Sequence, residues 1–314
     1  MLRVLQISPT QGKYCGIALF AERLAAEMQG STLNVTTVRE MSDATSADIV
    51  LLQHHPELLY DETVRDIVNR ASCPVILFAH APGISGIIEH VKGVIAMHPG
   101  IIPQTSTSSI VFPHPARVPE RLSNRSVLRD YFGLPREQKM LGSCGFLRFE
   151  RQIVEILSRL LPTAAQQDWI VQITISPWHI ESPRLIDQII AVGSQYSRHF
   201  VLDYRHLDEN DLNLRLQACD VIWCWTRAES SPYASGVVSD MYASGTHIVA
   251  ADKMQHDHIL QLPNVVRAPS VLNDFVDVLI EDVKQSTGER HDPVPVSWHH
   301  YVNRVVHFLY EIRR

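Results

Sequence analysis

The sequence predicts an α/β protein of two Rossmann-like domains facing each other across a cleft, and three observations predict it. The chain has 314 residues, about twice a usual domain length. Short apolar runs alternate with segments of helical period, the pattern of parallel strands joined by crossover helices. That alternation lapses once, around residues 115–140, before a second series begins.

The first series comprises Val4–Ile7, Leu33–Val38, Ile49–Leu52, Val75–Phe78, Val94–Met97 and Ile110–Phe112. Between the first two runs, Ile17, Phe20, Leu24 and Met28 recur at helical spacing and define one buried face. Pro115-Ala116-Arg117-Val118-Pro119-Glu120 and a charged stretch then read as the linker. The second series comprises Met140–Cys144, Ile170–Ile175, Phe200–Leu202, Val221–Trp225, His247–Ala250 and Val265–Val266, with helices expected at about 151–161, 183–193, 209–218, 236–244 and 271–285. A polar connection from Gly288 to Pro295 leads to a last amphipathic helix, Trp298 to about Arg313. The expected division is therefore 1–136, 137–290, and a C-terminal helix within 291–314 that returns to the first domain.

Composition narrows the function. Hydrophobic content of 45% and charged content of 20% are those of a chain that folds throughout. Residues 1–136 hold 12 Lys plus Arg and 12 Asp plus Glu, so the whole net charge of −6 lies beyond them. No basic groove for nucleic acid is expected. The five cysteines, at 15, 73, 144, 219 and 224, form an odd set without CxxC spacing, which argues against a disulfide framework or structural zinc and fits a reducing cytoplasm. The apolar stretch Met1–Ile7 is too short for a signal peptide and reads as the first strand. No window approaches the ~20 apolar residues of a membrane span, so any membrane association is peripheral.

Open α/β sheets bind ligands beyond the carboxyl ends of their strands, which directs attention to those loops. The first loop, Ser8 to Gly16, lacks the GxGxxG and GxxxxGK[ST] fingerprints of dinucleotide and P-loop sites. Gly16 still lets the backbone approach a ligand at a helix start, where free amides meet an anion or a sugar hydroxyl. His54 closes the third strand and His80 the fourth, each placed to hydrogen-bond a substrate hydroxyl or steady developing charge. His98 and His114 repeat the placement. Arg148 and Arg151 follow the first strand of the second domain, and guanidinium forks suit a diphosphate. Ser235-Gly236 opens a helix whose amides would meet a phosphate, and Asp240, about one turn further, would accept from a ribose diol. Each feature also has an ordinary reading: a βα turn, a surface histidine, a solvated loop, a capped helix with an exposed acid. The run Gln255-His256-Asp257-His258 reads as a solvated helix start rather than a metal site, because no further ligands accompany it.

The stretch from Ser235 to Ala250, Ser-Gly-Val-Val-Ser-Asp-Met-Tyr-Ala-Ser-Gly-Thr-His-Ile-Val-Ala, resembles the segment of glycosyltransferase family 4 in which a small-residue turn leads to an acid, an A-x-G and a PVVA-like strand. The acid there is usually Glu; here it is Asp240. Further similarities follow in the family's order: Cys15-Gly16-Ile17, Gln53-His54, His80, Pro113-His114-Pro115, Phe132-Gly133-Leu134-Pro135, Arg151 in place of a diphosphate-binding Lys, Ala218-Cys219-Asp220-Val221 and Ser297-Trp298.

This resemblance, diffuse but nearly end to end, implies the GT-B fold and a retaining hexosyltransferase-like activity. It implies a nucleotide-sugar donor such as a UDP- or GDP-sugar, a glycan, lipid-linked or small-molecule acceptor, and no metal or other cofactor. Arg148, Arg151, Ser235, Gly236 and Asp240 would hold the donor, Gly16 would lie by the acceptor, and His54, His80 and Glu229 would face the transferred sugar. Bacterial surface-glycan assembly is the family's usual work. The chain departs from the pattern where Pro232 stands at the first of two glutamates with seven residues between them, with Glu229 three residues early. It departs again where Phe146 replaces a phosphate-binding Arg and Lys13-Tyr14-Cys15 replaces the first of two paired glycines. Two other functions fit the same fold: a sugar-nucleotide epimerase, and a nucleotide-sugar-binding protein without catalysis.

Overall fold

The computed structural model describes the whole chain except residues 11–15, 31, 42–45, 117–118, 120–122, 149–150, 178–182, 228–234 and 293–296. In chain order the elements are β1 (Leu2–Ile7), α1 (Gly16–Met28), β2 (Leu33–Val38), β3 (Ile49–His54), α2 (Asp61–Arg70), β4 (Val75–Ala79), β5 (Gly93–Ala96), β6 (Ser108–Val111) and α3 (Arg125–Tyr131). There follow β7 (Met140–Phe146), α4 (Ile153–Gln167), β8 (Ile170–Ser176), α5 (Pro183–Ser194), β9 (Phe200–Tyr204), α6 (Glu209–Gln217), β10 (Val221–Cys224), α7 (Gly236–Ala243), β11 (His247–Ala251), β12 (Val265–Ala268), α8 (Leu272–Gln285) and α9 (Trp298–Arg313). The chain divides into two compact units, one built on residues 1–115 with the C-terminal helix, the other on residues 116–295.

The first unit holds a six-stranded sheet in the order β2-β1-β3-β4-β5-β6, every neighbouring pair parallel. Such sheets are buried on both faces, and β3 is accordingly buried at every position. On one face Leu51, Ile76, Phe78 and Ile95 pack with Phe20 and Leu24 of α1 and with α9. Helix α9 contributes Trp298, Tyr301, Val302, Val305, Phe308 and Leu309, which recur every three or four residues along one stripe. Ser297 caps it by accepting from the His300 amide at 3.2 Å, and Tyr310 Oη donates to the Thr32 carbonyl at 3.1 Å. The C-terminal helix thus belongs to the first unit. On the other face Val50, Leu52, Leu77 and Val94 pack with Val64 and Ile67 of α2.

The second unit holds another six-stranded parallel sheet, in the order β12-β11-β10-β7-β8-β9. Counted within the unit, this is the dinucleotide-type order 3-2-1-4-5-6, whose switch point lies between β7 and β10. Helices α4, α5 and α8 cover one face; α3, α6 and α7 cover the other.

Two expectations about helices change. The stretch expected as a linker carries α3, which belongs to the second unit rather than between units. Asn124 caps it by accepting from the Ser126 and Val127 amides, Leu128 enters the core, and Arg129 is buried beneath it. Its anchor is a charge, so no apolar periodicity announced it. Helix α4, expected to stop near residue 161, runs to Gln167 through Pro162. An interior proline costs a helix about 3 kcal/mol. Here Leu157, Leu160, Leu161 and Ala164 are all fully buried, and their packing outweighs that cost.

Candidate functional site

In the second unit the carboxyl ends of β7 and β10 lie side by side at the switch point, where doubly wound sheets bind ligands. The chain leaves β7 through Gly145, whose φ of +136° is reached freely only by glycine. It returns so that Arg151 Nη1 donates to the Cys144 carbonyl at 2.5 Å. Gln152, in the left-handed conformation before α4, accepts from Trp225 Nε1 at 3.3 Å, and this bond joins the exits of β7 and β10. Lys253 lies over the Trp225 ring, 5.6 Å from its centre. Arg148 is exposed.

Asp240 sits in the second turn of α7. Burial, reinforced by the negative charge of Glu209, raises its carboxyl to about 8, so it holds its proton at neutral pH. Ser235 and Gly236 open the helix, and the Ser235 side chain makes no capping bond of its own. Arg151 and Asp240 are both felt at the buried Cys144 thiol: burial pushes that thiol up, the Arg151 cation opposes the shift, and Asp240 adds to it. Each is thus within electrostatic reach of Cys144, while the charge that acts on Asp240 itself is that of Glu209. Glu229 lies outside the described residues.

Of residues 255–258, expected as a solvated helix start, Gln255 and His256 are buried and Asp257 is exposed. Residues Met254–His256 form a short 3-10 turn with Gln255 and His256 buried. His256 Nδ1 bonds the Ala251 carbonyl at 2.8 Å, so that nitrogen carries the proton, and Nε2 accepts the Cys224 thiol at 3.3 Å. Burial pushes the thiol up to about 12 and the imidazole down to about 4. The pair is a neutral S–H···N bond pinning the turn to the end of β10, and it leaves His256 no lone pair for a metal. Residues 32 apart in sequence make it, with no local signal.

In the first unit the two strand-end histidines part company. Side chains alternate along β3, so Gln53 shares the Leu51 face with α1 and α9, while His54 shares the Leu52 face with α2. His54 is fully buried, and burial pushes it down to about 4 against the opposing charge of Asp61. His80 lies on the opposite face, stacked on Phe78 at 5.3 Å and edge-on to Phe20 at 5.4 Å. The structure therefore does not bring His54 and His80 together on one ligand.

His80 ends a chain of buried amides. Gln6 Nε2 donates to the Ala21 carbonyl and to Thr37 Oγ1, Gln53 Nε2 donates to Gln6 Oε1 at 3.0 Å, and Gln53 Oε1 bonds His80 Nε2 at 2.7 Å. The amide polarity makes Gln53 Oε1 the acceptor, so His80 is protonated on Nε2 and keeps a lone pair on Nδ1. Burial and the neighbouring His114 lower it to about 3. Gly16 opens α1 at an exposed position.

Among the described residues, no helix is long and apolar enough to cross a membrane. No protein-family model and no curated protein matches the sequence. Solved structures do match. The chain is similar to a sucrose-phosphate synthase from Thermosynechococcus elongatus, with 10% identity and a TM-score of 0.77 over 99% of each chain. It is similar to HepE of Anabaena in complex with UDP and glucose, with 11% identity and a TM-score of 0.74 over 99% of this chain and 100% of that one. It is also similar to a UDP-forming α,α-trehalose-phosphate synthase from Burkholderia xenovorans in complex with glucose 6-phosphate, with 8% identity and a TM-score of 0.62 over the full length of both. The fold is the GT-B fold that the sequence predicts.

Proposed function

We propose that the chain is a glycosyltransferase that takes a hexosyl group from a nucleotide diphosphate sugar, with UDP-glucose the first donor to try, and passes it to a hydroxyl of a sugar or sugar phosphate. The observation that carries this reading is the basic turn at the switch point, where Arg151 is tied to the Cys144 carbonyl and Gln152 to Trp225 as β7 and β10 end side by side. Three structural neighbours named for, or crystallised with, UDP, glucose or sugar phosphates support the choice of donor and acceptor class.

In this reading the Arg151 donors not held by Cys144, together with Arg148 and the amides at Ser235 and Gly236, receive the diphosphate. Charge growing on the leaving phosphate is steadied by fixed donors that need no reorganisation. Asp240 accepts the ribose hydroxyls, whose hydrogen bonds favour its ionised form over the proton it holds when empty. His80, neutral and with Nδ1 open, accepts from a hydroxyl of the transferred sugar. Retention at the anomeric carbon and catalysis without a metal follow from the family resemblance, and a cytoplasmic location from the cysteine pattern.

The test is a thermal-shift screen of UDP-, GDP- and ADP-sugars, followed by product analysis with sugar and sugar-phosphate acceptors. A ligand several-fold above its dissociation constant raises Tm by about 2–4 °C in a domain of this size. Arg151→Ala and Asp240→Ala are expected to remove the shift and the turnover while the circular dichroism stays native. Full binding and turnover in both variants would overturn the assignment. Donor isomerised without an acceptor would identify an epimerase, and binding with no turnover a non-catalytic sugar-nucleotide receptor.

A further inference from the structure

We propose that Arg125 and Arg290 form a second anion site, for a phosphate dianion or a phosphomonoester, at the amino-terminal end of the second unit's sheet. Asp220, immediately before β10, organises the region. Its carboxylate accepts Arg125 Nη1 at 2.9 Å, Arg129 Nη2 at 2.7 Å and the Met140 amide, first of β7, at 2.7 Å. Arg129 is fully engaged, its remaining donors going to the carbonyls of Ala218, Arg136 and Gln138. Arg290 gives both terminal nitrogens to the carbonyls of Ser123 and Gln217.

Three donors remain: Arg125 Nε and Nη2, and Arg290 Nε, all buried and without a partner among the described residues. A buried donor left unmade is costly, and the cost is larger when it belongs to a charge. Carbonyls satisfy hydrogen bonds but cancel no charge, so among the described residues three guanidiniums share one carboxylate, an excess of two positive charges. Arg125 and Arg290 feel it: burial lowers both, Arg290 to about 10, and each lies close enough to a like charge to be lowered further.

The free Nε–Nη2 edge of Arg125 is the planar fork that takes two oxygens of an oxyanion side by side. A carboxylate would cancel half of the excess charge; a phosphate dianion cancels all of it. The donor region lies at the other end of β7, about 20 Å away along seven residues of strand. The site is therefore independent of the function proposed above.

The experiment titrates the whole protein with potassium phosphate against potassium chloride at equal ionic strength, following Tm and 31P line width. It is repeated with glucose 6-phosphate as the monoester probe. A saturable rise of about 2–4 °C is expected from phosphate and none from chloride. Because a sugar phosphate is also the acceptor class proposed above, only the part of each response that the lysine variants remove counts toward this site, and the larger such part identifies the natural source. Arg125→Lys keeps the charge and the bond to Asp220 but removes the fork, and is expected to abolish the response; Arg290→Lys, which removes only Nε and the carbonyl contacts, is expected to weaken it and decides the matter should Arg125→Lys not fold. Arg151→Ala is expected to leave the response whole. The proposal fails if the wild type shows no saturable response, if the folded lysine variants keep all of it, or if Arg151→Ala removes it and so assigns the phosphate to the donor site.

Discussion

Gly145 and Arg151 share one volume: a Cβ built on Gly145 would overlap the Arg151 guanidinium, which reaches back over the turn to the Cys144 carbonyl. The glycine at the exit of β7 is thus a condition for the arginine's placement as well as for a backbone φ of +136°.

Gly145→Ala is accordingly expected to displace Arg151 and to strain the turn. The strain costs about 1–3 kcal/mol. Donor binding should weaken by more than the stability loss explains, because the displaced guanidinium is the diphosphate ligand proposed above. Isothermal titration beside a denaturant melt separates the two; a stability loss with unchanged donor affinity would remove the link between Gly145 and the site.

As the proposed ribose ligand, Asp240 is expected to give donor binding a pH dependence. Its folded carboxyl is raised to about 8 from 3.8. Ribose hydroxyls favour the ionised form, so binding releases its proton and affinity rises with pH until about pH 8, by up to about tenfold per unit, then levels. In Asp240→Asn the dependence should vanish. The same group binds a proton in the folded state that the unfolded state has lost, so its stability contribution is lost as pH rises from about 4 to about 8. Asp240→Asn is therefore expected to raise stability more at pH 7 than at pH 5, by on the order of 2 kcal/mol, in paired urea melts.

The first unit should fail first in acid. His54, His80 and His114 fall to about 4, 3 and 4 from 6.5, burial being the main cause in each. Depressed values mean stability that is complete above about pH 6.5 and is lost as pH falls toward 4. Three protons taken up on unfolding amount to about 4 kcal/mol per pH unit within that window. Fluorescence offers a clean readout, since Trp298 alone of the five tryptophans belongs to the first unit. Placing a Trp298-only variant on an acid titration should show loss of the buried signal before the second unit's circular dichroism falls.

Tyr301 carries a fully buried hydroxyl with no hydrogen-bond partner among the described residues. Phenylalanine keeps the ring contacts with Phe20, Phe78 and Phe112 and removes the unpaired oxygen. Tyr301→Phe is expected to stabilise the first unit by about 1–3 kcal/mol. A lower Tm in that variant would show that the hydroxyl finds a partner in solution.

Local periodicity made the strands and most helices readable, because parallel sheets covered on both faces need unbroken apolar runs and their crossovers need apolar stripes. It also put Arg151 just past the first strand of the second series and Asp240 one turn into the helix after the fourth. The same uniform burial hid the difference between His54 and His80. Every residue of β3 is buried, so no polar alternation marks which face a given residue takes, and only α2 on one side and α1 with α9 on the other decide it. Likewise Cys224 and His256, or Arg125, Asp220 and Arg290, are brought together from distant segments with no pattern to announce them.

The sequence by itself determined the class of the chain, the direction and alternation of its elements, and which loops end strands, since each of these follows from the spacing of apolar side chains along a few neighbouring turns. Tertiary structure alone decided which polar groups share a partner, that α3 is pinned to the second unit by a buried arginine, and that α4 survives its proline. These depend on free energies of burial and pairing summed over residues far apart in the chain, which no local period encodes.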